Sequence, residues 1–107
     1  MELIKVQKRE INGENINSVN ARELWVFLES KQQFGNWINK RINQYDFTEG
    51  IDFTKFNYFI KRETGSTTRT EYIVSIDMAK ELSMVEKNEK GKQARKYFIE
   101  CEKIAKG

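Results

Sequence analysis

Apolar and polar residues alternate near the start of the chain, Ile4 and Val6 against Lys5 and Gln7, with the two-residue period of a half-buried strand. Asn12-Gly13 then falls between Ile11 and Ile16. Both central positions of a two-residue hairpin turn need positive φ, and this pair adopts it readily, so the segment predicts a first β-hairpin. At Asn20, a residue suited to capping a helix, the period changes. Leu24, Phe27 and Leu28 of ARELWVFLES share one helical face. Ser30-Lys31-Gln32 breaks that helix, and FGNWINKRINQY predicts a second one with Phe34, Trp37, Ile38, Ile42 and Tyr45 as its buried stripe.

From Ile51 the alternation returns. Phe56, Tyr58 and Ile60 take turns with Asn57, Phe59 and Lys61, and Tyr72 with Val74 repeats the pattern beyond a turn around Gly65-Ser66. The reading is a second hairpin with the polar tip KRETGSTTR. Ser75 or Asp77 caps a third helix carrying Met78, Ala79, Leu82 and Val85, which Asn88 and Gly91 break. The last helix places Ala94, Tyr97, Phe98, Cys101, Ile104 and Ala105 at spacings of three and four, a core-facing stripe. The order of strands, two helices, strands, two helices predicts an α+β fold, two β-hairpins alternating with two helix pairs, in one domain over residues 1–107.

Composition narrows the chemistry. With 107 residues, 38% hydrophobic, 33% charged and thirteen aromatics (two Trp, four Tyr, seven Phe), the chain can build one modest core. The net charge of +3 admits an acidic partner without requiring one. Histidine is absent and Cys101 is the only cysteine. That excludes intrachain disulfides, cysteine–histidine zinc sites and histidine-based catalysis. No phosphate-binding glycine loop, HExxH or GxSxG occurs, and near pairs such as Asp77 with Glu81 have the spacing of solvated helix faces. Catalytic residues, metal ligands and cofactors are therefore not expected, and neither is an enzyme. No apolar run approaches the roughly 20 residues of a membrane span, and no signal peptide is visible, so an intracellular protein is the expectation.

Three polar features remain. Between Glu29 and Asp46 there is no acidic residue, and the face opposite the second helix's stripe carries Gln33, Asn36, Asn39, Lys40, Arg41, Asn43 and Gln44. These side-chain types read base edges and hold phosphates, so the helix suits a helix-turn-helix recognition role, or else is an ordinary solvated face. The hairpin tip, with Lys61, Arg62 and Arg69, would then be a phosphate-touching wing, or simply an exposed turn. Lys90, Lys92, Arg95 and Lys96 crowd the start of the last helix, against its dipole. Lys96 can pair with Glu100, Glu102 with Lys106, and Glu86 with Lys90.

VNARELWVFLES (19–30), FGNWINKRI (34–42), EGIDF (49–53) and DMAKELSMVEKNEKGKQARKYFIECEK (77–103) together resemble the AntA/AntB-type phage antirepressor domain, over Val19 to Lys103. Trp25 stands where the family carries a more polar residue, often histidine. The resemblance implies a phage or prophage protein of the bacterial cytoplasm that binds a phage repressor and relieves repression, favouring lytic induction. It also implies a domain found at the N-terminus of longer proteins. Binding through mixed-charge or apolar surface would make Trp25 and Phe59 anchors, with Lys90, Lys92, Arg95 and Lys96 facing a repressor or a second copy in a homo-oligomer. The alternative is a DNA-binding domain using the 33–44 face and the hairpin wing.

Overall fold

The computed structural model describes residues 4–106, with side chains described through Ile104. The strands are β1 (Val6–Ile11), β2 (Glu14–Asn20), β3 (Phe53–Arg62) and β4 (Gly65–Ser75); the helices are α1 (Ala21–Leu28), α2 (Phe34–Tyr45), α3 (Ile76–Val85) and α4 (Glu89–Lys106). Both hairpins join one antiparallel sheet in the order β1-β2-β4-β3. The α+β class and the predicted order of elements hold.

Local signals place most boundaries. Asn12 and Gly13 turn the first hairpin at φ 53° and 84°, and Ile11 pairs with Glu14 across it. The Asn20 carboxamide accepts from the Arg22 and Glu23 amides, and the Ser75 hydroxyl accepts from Met78. Each bond satisfies an otherwise unpaired first-turn donor, worth about 1 kcal/mol. The second hairpin turns at residues 63–64, because Arg62 pairs with Gly65. Its strands thus extend to the tip, and the turn lies just ahead of Gly65-Ser66.

The core gathers Val19, Leu24, Leu28, Trp37, Ile38, Phe53, Tyr72, Val74, Met78, Leu82, Ala94 and Phe98 with their neighbours. Several expectations need correction. Tyr45 is exposed at the end of the second helix's stripe, and Ile104 is exposed near the end of α4, past the elements that cover Ala94 and Phe98. Ala105 lies outside the described side chains. Phe56 and Tyr58 alternate as a strand requires, yet both are exposed, because the register puts them on the face of β3 opposite core-facing Phe53, paired with Glu71 and Arg69. Gly91 does not break a helix; it lies in the first turn of α4. Its amide donates to the Asn88 carboxamide oxygen at 2.7 Å, and Asn88 Nδ2 donates to the Leu28 carbonyl at 3.3 Å. A Cβ at position 91 would overlap the Ser83 carbonyl oxygen. Glycine is there for the close approach of α3 and α4, not for a bend.

Candidate functional site

A groove of about 680 Å³ with convergent polar groups lies between the start of α2 and the β3–β4 hairpin. One wall is Arg22 and Trp25 of α1 with Gln33, Phe34, Gly35 and Asn39 of α2; the other carries Ile60, Arg62, Arg69 and Tyr72 beside three threonines. The short break after α1 allows this arrangement. Trp25 Nε1 donates to the Gln32 carbonyl at 3.0 Å, fixing the connection, while its ring meets Phe34 edge-on with centroids 5.7 Å apart. Phe34 in turn meets Tyr72 edge-on at 5.8 Å. Such pairs add about 0.5–1.5 kcal/mol to the area they bury, so the groove has a firm aromatic floor.

Charge in the groove is organised by one carboxylate. Glu71 is buried, and its Oε1 accepts from Arg22 Nε at 2.9 Å while lying 3.8 Å from Arg69 Nη1. The Arg22 guanidinium also stacks 4.3 Å from the Phe34 ring centroid. Two of the three groove arginines are thus partly neutralised, and Arg62 has no ion-pair partner among the described residues. At the α2 terminus Gln33 makes no side-chain capping bond and the first turn holds no acidic residue.

Of the residues expected to meet DNA, the groove brings together Gln33, Asn39, Arg62 and Arg69, and places Trp25 beside them. Asn36 adjoins it through a 3.4 Å bond to Gln33. Lys40, Asn43, Gln44 and Lys61 are exposed but do not line it. Arg41 departs from the expected polar face: it is half-buried, 3.6 Å from Glu86, and donates to Gln44 at 3.1 Å. Glu86 also accepts from Trp37 Nε1 at 2.6 Å. Arg41 is therefore a strut between α2 and the end of α3, and Glu86 is not the expected partner of Lys90.

Lys90 lies instead 5.1 Å above the Phe27 ring. Lys92, Arg95 and Lys96 are exposed along α4, and none of the four lines the groove. The expected pairing on α4 also changes: Glu100 lies 3.5 Å from Lys103, and Glu102 accepts from Lys80 of α3 at 2.8 Å. Lys106, proposed for Glu102 on spacing alone, lies outside the described side chains. Phe59 is 66% exposed on β3, whereas Trp25 is half-buried. Sequence spacing missed Arg22 and Glu71 altogether. The one signal was a carboxylate set directly before the apolar run Tyr72-Ile73-Val74.

Among the described residues, no group of three or more His, Cys, Asp or Glu is placed to hold a metal ion, and no helix is long and apolar enough to cross a membrane. A family model described as AntA/AntB antirepressor matches residues 19–88. That span contains every residue that lines the groove, and stops at Asn88, short of the Lys103 to which the sequence resemblance runs. Searches of curated proteins and of solved structures return no significant match.

Proposed function

Because the chain belongs to the AntA/AntB antirepressor family, a regulatory rather than an enzymatic one, we propose that it relieves repression by binding a phage repressor protein through the groove between α2 and the β3–β4 hairpin. The observation that supports this surface is the Arg22–Glu71–Arg69 cluster over an aromatic floor. A site built for phosphate would leave its cations unpaired. Here two share one buried carboxylate, which suits a protein segment of mixed character with an aromatic or apolar anchor beside Trp25. A repressor's DNA-reading face is basic and would repel a chain of net charge +3, so the contact falls elsewhere on the repressor. Binding only the DNA-free repressor then lowers its operator occupancy by mass action, favouring lytic induction.

A DNA-binding reading is favoured by one specific observation, the presence of Gln33, Asn39, Arg62 and Arg69 in a single groove. One titration separates the two. Fluorescence anisotropy of labelled operator carrying its bound repressor is expected to fall as the chain is added, with no binding to the bare operator. Thr68→Arg, which fills the groove from an exposed position, is expected to raise the chain concentration needed for release by about tenfold or more. On the DNA reading the same substitution tightens binding to bare operator, and each phosphate neutralised adds about 0.9 to the salt slope. Tight bare-operator binding, strengthened by Thr68→Arg, would overturn the repressor reading.

A further inference from the structure

The sheet has two edges, and they differ. β1 is six residues long and carries Lys8, Arg9 and Glu10 in succession, charges that discourage pairing with another chain. β3, the opposite edge, runs ten residues without a proline, in unbroken register with β4 from Phe53–Val74 to Arg62–Gly65. Its outer half exposes Phe56 (45%), Tyr58 (56%) and Phe59 (66%), and although the Gly50 amide donates to the Phe53 carbonyl at the start of this edge, no described element covers the backbone groups beyond it. A long, aromatic edge of this kind invites a further strand.

We propose that β3 pairs antiparallel with β3 of a second copy about a two-fold axis at Asn57, joining two four-stranded sheets into one. The second copy is chosen because the strand is complementary to itself in one register. Across a two-fold antiparallel pair, opposed residues share a face, so the axis must pass through a residue rather than between two. An axis at Tyr58 sets Lys55 against Lys61 twice, and like charges directly opposed are destabilising. An axis at Phe56 leaves only residues 54–58 free to pair, because the Phe53 carbonyl is already held by the Gly50 amide, and it sets Lys55 against Asn57 instead of a ring. An axis at Asn57 sets Phe56 against Tyr58 and Lys55 against the Phe59 ring, each pair occurring twice, all within residues 54–60 and clear of the Gly50 contact with Phe53. Aromatic pairs and cation–aromatic pairs each stabilise neighbouring strands. The contact leaves the Trp25 and Asn39 side of the groove open, so it stands independently of the repressor reading.

The test begins with the mass of the chain by analytical ultracentrifugation at about 100 μM, a concentration at which even modest interfaces are occupied. Twice the 12.7 kDa chain mass is expected. Phe56→Lys and Tyr58→Lys, both at exposed positions, are expected to raise the dimer dissociation constant by about tenfold or more while leaving the circular dichroism spectrum unchanged. In a Cys101→Ser background, Asn57→Cys is expected to form an intermolecular disulfide on mild oxidation, because residues opposed at the axis lie about 4.5–5.5 Å apart at Cα. Thr54→Cys, opposite Ile60, is expected not to. A monomer at that concentration overturns the proposal. So does a dimer that tolerates both lysines and fails to cross-link at position 57.

Discussion

The second hairpin is one structure with two fates. Near its base, Phe53, Tyr72 and Val74 are buried among the helices, with the Phe53 and Tyr72 rings 6.0 Å apart. Toward its tip, Phe56, Tyr58 and Phe59 stand in solvent on the same strands in the same unbroken register. Composition does not separate the halves, and alternation runs through both. Phe56 and Tyr58 face the other side of the sheet from Phe53, but Phe59 shares its face, and what separates those two rings is cover: the base lies under helices, while the outer half extends past them and instead forms one wall of the groove. A two-residue period therefore specifies a strand and its register, but burial belongs to whatever packs against it. Glu71, the register partner of Phe56, marks the boundary, held by Arg22 of α1.

Truncating one ring on each side of that boundary sharpens the comparison most. Phe53→Ala is expected to cost about 3–5 kcal/mol in chemical denaturation, the range for deleting a core phenylalanine. Phe59→Ala, measured where the chain is monomeric, is expected to stay within about 0.5 kcal/mol. Equal losses would mean that the outer half is packed after all. Glu71→Gln comes next, at about 1–2 kcal/mol. Breaking a fully buried pair costs more, but the Arg22 and Arg69 side chains are 31% and 48% exposed, so water takes up part of the loss. Hydrogen exchange should then speed up in residues 56–62 ahead of Phe53 and Thr54. Uniform acceleration would deny that Glu71 is the boundary.

How much of this could be read in the sequence follows from the same distinction. The Asn12-Gly13 turn, the Asn20 and Ser75 caps and the helix stripes are local signals, and each appears where spacing put it apart from the stripe ends Tyr45 and Ile104. Gln33, Asn39, Arg62 and Arg69 were legible as a set by residue type, and Trp25 as an anchor. That these five share one groove depends on how the hairpin lies against α2, which no periodicity encodes. The contacts that organise the site span the fold: Arg22 to Glu71 and Trp37 to Glu86 each join residues 49 positions apart. Spacing-four logic gave Glu86 to Lys90, whereas Trp37 and Arg41 hold it in the folded chain. Short-range pairing rules apply to isolated helix surfaces, and a buried indole N–H or a half-buried guanidinium outcompetes them.

The smallest expected effect tests the covered side of the molecule alone. Lys80 of α3 has its pKa raised above the ordinary 10.5 chiefly by its hydrogen bond to Glu102 of α4, with burial opposing and Asp77 adding to the rise. Burial, with Cys101 alongside, raises the Tyr97 phenol above 10.0, and its hydroxyl donates to the Ile4 carbonyl at 2.9 Å. In both groups the folded chain holds the proton more tightly than the unfolded chain. Their stabilisation is complete below the unfolded values and is lost as pH rises through the folded ones. The melting temperature should therefore fall above about pH 10, by the equivalent of about 1 kcal/mol or less, given that Lys80 remains partly exposed. Lys80→Met with Tyr97→Phe should flatten that part of the profile while lowering stability at neutral pH, because the ion pair is then missing at every pH. A profile still equally steep in the double variant would place the alkaline sensitivity outside the α3–α4 pair and the Ile4 tether.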